Sequence, residues 1–325
     1  MSTPVYELHS DTGNRMFVKR DDLLSFGLGG NKVRIANAFF DDMKEKNCDT
    51  MIAYGSTSSN LCRVIANRCA IEQIPCYIIC SHSESEASDT VTSNTRLMEL
   101  LGASMIPCKK NAIAQAVEDT RNRLLGAGRK PYYIYGNKYG TGNEGVAARA
   151  YADAYQEIIE AEHTLGITFD YLFHASGTGA TQSGLICGHL LHGDAKKIVG
   201  ISVSRDRKRG SSIIAQGVTS LLAEKGFPRE FSLSEEILLE DEYRRGGYGL
   251  YDEAILACIQ REFRTNSLPL DPVYTGKAFL GMEEYLKKHQ IKEKNILFLH
   301  TGGTPLFYDC LNRGELTAFG KENLC

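Results

Sequence analysis

Tyr171-Leu-Phe-His-Ala-Ser-Gly-Thr-Gly-Ala-Thr-Gln-Ser-Gly-Leu-Ile186 decides the fold class. The apolar run Tyr171-Ala175 reads as a buried strand, Ser176-Gly184 as the loop leaving it, and Leu185 and Ile186 lie in a helix. Glycines let the backbone curl until several N–H groups point at one spot, and the helix start adds a partial positive charge, so the loop suits a phosphate. It lacks the Lys-Ser/Thr ending of a nucleoside-triphosphate loop. Gln182 stands where a dinucleotide fingerprint needs its last glycine, and Lys196 and Lys197 occupy the place of a ribose-binding acid. A monophosphate fits better than a dinucleotide.

The same strand-then-helix rhythm runs along the chain. Strand-like runs are Met51-Tyr54, Cys76-Cys80, Ser104-Pro107, Tyr132-Tyr135, Tyr171-Ala175, Ile198-Val203 and Ile296-His300. Helical patterns lie between them: Leu61-Ala70, Thr90-Leu101, Ala112-Leu125, Val146-Ala161, Thr181-Leu191, Glu253-Phe263 and Ala278-His289. This alternation predicts an α/β protein with parallel-rich sheets flanked by helices, and seven strands exceed one mononucleotide unit, so two domains are expected. Ser81-Ser88 and Ser204-Ser212 read as solvated loops, the second as a lid or an anion-attracting rim.

Composition narrows the class. The 325 residues are 42% hydrophobic and 24% charged with a net charge of −3, which gives no basic field for nucleic acid and no polybasic segment for a membrane. Residues 1–13 lack the apolar core of a signal peptide, and no later stretch approaches a membrane span, so the expected location is cytoplasmic. Ten cysteines without any C-x-x-C pair read as reduced, buried small hydrophobes, with Cys62 and Cys69 on one helix and Cys76 and Cys80 on one strand face. His189 and His192 are i, i+3 on a helix without a carboxylate or thiol at a suitable offset, so no metal is expected.

In parallel sheets ligands gather at the carboxyl ends of strands, which directs attention to the loops there. Gly55-Ser-Thr-Ser-Ser-Asn60 places four hydroxyls and an amide at a helix start, more than one cap requires. His300-Thr-Gly-Gly-Thr-Pro305 ends a buried strand in small residues that let a flat ligand approach, with Pro305 at a first helical position. Gly29-Gly-Asn-Lys-Val33 opens a helix whose apolar face is Ile35, Phe39 and Met43. Lys32 thus sits at the positive end of a helix, where a dry site lowers an amine's pKa until it can condense with an aldehyde. An amine at one loop, a phosphate cradle at another and hydroxyls around them suggest pyridoxal 5'-phosphate as cofactor.

At the level of whole motifs, Gly29-Gly-Asn-Lys-Val-Arg34, Ser58-Ser-Asn60, Gly177-Thr-Gly-Ala-Thr-Gln-Ser-Gly-Leu185, Asp271-Pro-Val-Tyr-Thr-Gly-Lys-Ala278 and His300-Thr-Gly-Gly-Thr-Pro305 recur in one order across nearly the whole chain. The set resembles the D-cysteine desulfhydrase and 1-aminocyclopropane-1-carboxylate deaminase family, fold type II pyridoxal-phosphate enzymes related to the tryptophan synthase β-subunit. The resemblance implies a large cofactor-binding domain, residues 1–46 and 146–325, with a small α/β domain, residues 47–145, inserted in it. It implies that Lys32 carries the cofactor as a Schiff base, that Asn60 hydrogen-bonds the ring hydroxyl, and that the amides of Gly177, Thr178, Gly179, Ala180 and Thr181 bind the phosphate. Thr301 is the expected hydroxyl at the pyridine nitrogen. Ser59 matches a serine beside the substrate carboxylate and Cα, as binder, nucleophile or base; Ser58, Asn60 and Tyr274 complete the expected substrate pocket, with Lys32, Ser59 and Tyr274 as the catalytic set. Family members are usually homodimers or larger.

The reaction so implied is Cα deprotonation of a small amino acid followed by β-elimination, giving a 2-oxo acid and ammonia, as in D-cysteine desulfhydrase. A ring-opening deaminase, a β-replacement transferase and a non-catalytic pyridoxal carrier are the alternatives. The chain also departs from the family pattern. Ser58 replaces a common glutamine, and Gly136-Asn-Lys-Tyr-Gly-Thr-Gly-Asn143 replaces a shorter segment, so that Lys138 and Tyr139 are expected to line a different pocket.

Overall fold

The structure is a computed structural model and describes residues 2–82, 91–227 and 233–316. The first half forms β1 (Val5–Leu8), β2 (Arg15–Lys19), α1 (Asn31–Glu45), β3 (Thr50–Gly55), α2 (Asn60–Glu72), β4 (Cys76–His82), α3 (Ser93–Leu100), β5 (Ser104–Lys109), α4 (Ile113–Gly126) and β6 (Pro131–Tyr133). Then come α5 (Glu144–Leu165), β7 (Tyr171–Ser176), α6 (Ala180–His192), β8 (Lys197–Ser202), α7 (Arg207–Glu224), α8 (Leu233–Glu236), β9 (Leu238–Glu240), α9 (Glu253–Asn266), α10 (Thr275–Lys288), β10 (Asn295–Leu299) and α11 (Thr304–Asn312).

Two sheets result. One has the order β1-β2-β10-β7-β8-β9 and the other β5-β4-β3-β6. Every pairing is parallel except β1 with β2. In the larger sheet Leu297 of β10 lies level with Phe17 of β2 and Leu172 of β7, so the three strands end together. The loops after β7 and β10 therefore emerge side by side. Leu172, Ile198 and Leu297 bury against α1, α5 and α6 on one face, while Phe173, Val199 and Phe298 pack with α9 and α10 on the other. This alternation explains why the central strands read as continuous apolar runs.

Helix packing fixes the position of α6, which carries the glycine-rich loop. Gly184 meets α5 so closely that a Cβ there would lie 2.3 Å from the Ala148 carbonyl oxygen. Gly188, one turn on, faces Tyr155 in the same way. Behind α1, Asp21 is fully buried and accepts from Tyr151 and from Arg34, whose guanidinium also binds Glu157. Burial alone would raise the Asp21 carboxyl, but Arg34, Lys19 and Tyr151 outweigh it and hold it below its ordinary value.

Where sequence and structure differ, short range is the reason. β1, β2 and β9 are too brief and too polar at their ends to be read from pattern, and β1 acquires its identity only by pairing with β2. The basic stretch read as a loop from Ser204 to Ser212 turns into α7 at Arg207. Asp206 caps that helix by accepting from the Arg209 N–H, and Ile214, Val218 and Leu221 bury one face. Gly210 and Gly217 had masked the periodicity. β6 stops at Tyr133, short of the expected Tyr135. Residues 83–88 of the loop expected at Ser81-Ser88 lie outside the described residues, as does Thr90 of the helix expected there, which starts at Ser93.

Candidate functional site

The loops at the strand ends meet in a cleft of about 570 Å³. Asn31, Lys32, Gly55, Ser56, Ser59, Asn60, Tyr135, Gly177, Thr178, Tyr248, Tyr274 and Thr301 are among the residues lining it. A wider groove of about 900 Å³ lies elsewhere, between residues 9–12 and helices α9 and α10. Its Arg261 is already paired with Glu262 and Glu283, and none of the strand-end glycine loops reaches it, so we place the chemistry in the smaller cleft.

Lys32 is the second residue of α1. The turn before it is held from three sides: Gly30 N–H donates to the Asp21 carbonyl at 2.8 Å, Asn31 N–H to the Thr301 carbonyl at 3.0 Å, and Val33 N–H to Gly30 at 2.9 Å. Gly30 has φ +96, and a Cβ on it would sit 2.8 Å from the Thr301 oxygen, so only glycine allows the two loops to touch. Among the described residues no carboxylate pairs with Lys32. Burial, and then the Arg205 cation, bring its amine down to about 8. Lys32 is half-buried in the cleft wall rather than on a surface turn.

The glycine-rich loop faces this amine. Gly179, in the left-handed region at φ +91, turns the chain into α6. Asn31 Nδ2 donates to Thr181 Oγ1 at 2.9 Å, tying the start of α1 to the start of α6. Among the described residues the N–H groups of Thr178, Gly179, Ala180 and Thr181 donate to no protein acceptor, as expected for a helix start that awaits an anion. Arg205 donates through Nη1 to the Gly177 carbonyl and brings a cation to the cleft wall. Gly177 and Thr178 line the cleft, and Gly179 to Thr181 form the turn behind them. These features fit a phosphate, and Lys32 beside them fits an aldehyde.

Ser59 caps α2, its Oγ accepting from Cys62 N–H at 3.2 Å, and it also lines the cleft. The hydroxyl proton stays available to a ligand. Asn60 follows as the first helical residue and is 9% exposed, on the cleft side. On the opposite wall Tyr274 and Tyr248 share a hydrogen bond of 2.7 Å, and Tyr248 reaches Ser56 of the smaller sheet's loop at 3.1 Å. Burial, and then Tyr248, push the Tyr274 phenol well above its ordinary value, so it is a proton donor at neutral pH. Asp271 sets this wall. Its buried carboxylate accepts from the N–H groups of Val273, Tyr274 and Thr275 and from Thr275 Oγ1.

Several expectations need correction. Ser58 is not among the cleft-lining residues; its carbonyl accepts from Asn94 Nδ2 at 2.9 Å. Lys138 and Tyr139 do not line the cleft either. Tyr139 is 78% exposed, its ring covered by the Lys138 ammonium, because Gly136 and Gly142 bridge into a separate loop. His189 does have a carboxylate partner, Asp194 at 2.7 Å, five residues on across the helix end. Sequence reasoning missed Tyr248, Asp271 and Arg205 as site residues. Tyr248 sits in Gly246-Gly247-Tyr248-Gly249, where glycines around one aromatic were the available signal. Asp271 lay inside a quoted motif, and Arg205 inside the rim read as anion-attracting.

Comparison with known proteins fixes the class. The family model described as pyridoxal-phosphate dependent enzyme matches residues 2–302, so the chain belongs to that family and uses pyridoxal phosphate as its cofactor. Within it, a 1-aminocyclopropane-1-carboxylate deaminase of Bradyrhizobium sp. (strain BTAi1 / ATCC BAA-1182) is 31% identical over 90% of this chain and 87% of its own. A D-cysteine desulfhydrase of Yersinia pestis (strain Pestoides F) is 29% identical over 91% and 88%. The solved structure of an ACC deaminase homologue superposes with a TM-score of 0.85 at 26% identity, covering 96% of this chain and 93% of the other. The deaminase and desulfhydrase group expected from the motifs is the one these relatives occupy. Among the described residues no helix is long and apolar enough to cross a membrane.

Proposed function

We propose that the protein is a pyridoxal-phosphate-dependent lyase or deaminase that removes the Cα proton of a small amino acid and eliminates a β-substituent, with D-cysteine-like substrates first. The observation that carries this reading is Lys32, a half-buried amine lowered to about 8, which lines one cleft together with Gly177 and Thr178 of the glycine-rich loop. When bound, the cofactor supplies an electron sink conjugated to the substrate Cα. Lys32 would hold the cofactor's aldehyde carbon, and its amine, lowered to about 8 and so partly neutral at that pH, would accept the Cα proton once the substrate amine has replaced it. Gly177, Thr178, Gly179, Ala180 and Thr181 would hold the phosphate, Asn60 the ring oxygen and Thr301 the pyridine nitrogen.

Ser59 donates its hydroxyl proton to the substrate carboxylate, which can only accept, while its oxygen accepts from Cys62 N–H at the α2 cap. Tyr274, kept protonated by burial and by Tyr248, protonates the departing group, such as the thiolate of cysteine. Water then releases a 2-oxo acid and ammonia, so cysteine and water yield pyruvate, hydrogen sulfide and ammonia. A second reading, ring opening of 1-aminocyclopropane-1-carboxylate to 2-oxobutanoate and ammonia, is supported by the names of equally similar relatives. Absorption spectra with a panel of small D- and L-amino acids separate the two, because only a substrate that exchanges with Lys32 shifts the visible band, and the oxo acid formed identifies the leaving group. Replacement of Lys32 by Ala is expected to remove that band; its survival would overturn the reading.

We further assign the lobes at residues 47 and 145, since β3 to β6 all fall between them and α5 packs back along α6. A cytoplasmic location agrees with nine unpaired described cysteines. A homodimer agrees with Leu100, Tyr308 and Leu311 exposed on α3 and α11, which pack against each other. Sedimentation tests the last point.

A further inference from the structure

Arg63 is the least explained charge in the molecule. It is 1% exposed, and among the described residues its one side-chain hydrogen bond goes to an amide and not to a carboxylate. Its Nε and Nη1 have no hydrogen-bond partner, and Nη2 makes one contact, to Asn60 Oδ1 at 3.4 Å. A buried guanidinium without a counter-charge is costly, and five N–H donors with one used adds to the cost. Its place is also the wrong one for local reasons, since the first turn of α2 is the positive end of the helix. Burial accordingly pushes it down to about 10.

The contact it does make decides which way Asn60 faces. A guanidinium can only donate, so the Asn60 atom beside Arg63 must be the oxygen. Asn94, fully buried on α3, donates Nδ2 to that same Oδ1 at 3.0 Å and to the Ser58 carbonyl at 2.9 Å; a carbonyl can only accept, which fixes the Asn94 amide as well. Two donors therefore occupy Asn60 Oδ1, and its NH2 is left to point into the cleft that Asn60 lines.

We propose that Arg63 is the positioning residue for the cofactor: through Asn60 it presents an N–H, backed by an uncompensated positive charge, to the deprotonated ring oxygen of pyridoxal phosphate. This rests on the reading of Asn60 as the ring-hydroxyl partner. The ring oxygen is then the missing counter-charge, relayed by one amide. Asn94 shares the orientation of that amide but brings no charge.

The test compares ligand pairs rather than rates. The full chain, stripped of cofactor, is titrated with pyridoxal 5'-phosphate and with 3-deoxypyridoxal 5'-phosphate, which lacks the ring oxygen, and the ratio of dissociation constants is taken. The wild-type chain is expected to prefer the natural cofactor, and Arg63→Met to lose about tenfold of that preference, with Arg63→Lys keeping more of it than Met. A merely structural Arg63 would weaken both ligands alike and leave the ratio unchanged, which overturns the proposal. A wild-type ratio near one overturns the placement of Asn60 beneath it. Asn94→Ala gives an independent arm should the Met variant not fold: it is expected to keep most of the preference because Arg63 still holds Oδ1, and losing the preference there contradicts the assignment to Arg63.

Discussion

Asn31 and Thr181, 150 residues apart, are joined by a 2.9 Å hydrogen bond from Nδ2 to Oγ1. The bond fixes the distance between the helix start that offers the amine and the helix start that offers the N–H cradle. Neither loop would hold that spacing alone. Asn31→Ala and Thr181→Val are each expected to cost about 1 kcal/mol of stability. Cofactor affinity should fall by about fivefold to tenfold in both, read by absorbance titration, and the double variant should lose little more than either single one.

The Lys32 amine has a folded-state pKa below its unfolded value, so the unfolded chain binds more protons between about pH 8 and pH 10.5. Stability of the cofactor-free protein therefore rises with pH through that window and is lower beneath it. Lys32→Met is expected to raise cofactor-free stability at pH 7 by on the order of 1 kcal/mol, after discounting for the open cleft, and to flatten the rise. Denaturant midpoints at pH 7 and pH 10 check both. A variant that melts lower at pH 7 would contradict the assigned burial cost.

Tyr274 and Tyr248 form a hydroxyl pair on the cleft wall, and the first is the proposed proton donor to the leaving group. Tyr274→Phe should lower the elimination rate by about 100-fold while leaving cofactor loading intact. Tyr248→Phe, which removes the partner and the bridge to Ser56, should act less strongly and raise KM as well. Steady-state kinetics on the substrate found by the spectral panel distinguishes the two patterns.

Asp271 accepts three backbone N–H groups and one hydroxyl in a fully buried turn. Asp271→Ala orphans them together and is expected to destabilise the protein by about 2–4 kcal/mol, with loss of activity through displacement of Tyr274. Thermal melting and activity should fail in step.

Gly30→Ala places a Cβ 2.8 Å from the Thr301 oxygen at φ +96. The loops before α1 and after β10 must then separate, so the visible absorbance of bound cofactor is expected to vanish even where the chain stays folded. Circular dichroism beside the absorbance spectrum tells the two apart.

How much of this was legible beforehand follows the range of the interactions. The glycine-rich turn after Tyr171-Ala175 and the helix after Gly30 are local in origin: apolar runs, φ-positive glycines and helix starts are properties of a few consecutive residues, and they sufficed for the α/β fold and for the place of the glycine-rich turn at a helix start. Tyr248 and Asp271 as wall residues, Arg205 at the glycine loop and the turning away of Tyr139 were not legible, because each depends on a partner distant in the chain, such as Ser56 for Tyr248.

The sequence by itself determined the parallel-rich class, the ordered set of motifs and the amine of Lys32 at a glycine-opened helix start, since periodicity and backbone freedom are written into neighbouring residues. Only the tertiary structure decided that Lys32 lines the cleft with no carboxylate partner among the described residues, that Arg34 serves a buried ion network with Asp21 and Glu157 rather than the cleft, and that Arg63 stands behind Asn60 without a counter-charge. Burial and charge pairing are set by which segments meet in space, and that meeting is fixed when β2, β7 and β10 align and α5 closes over α6.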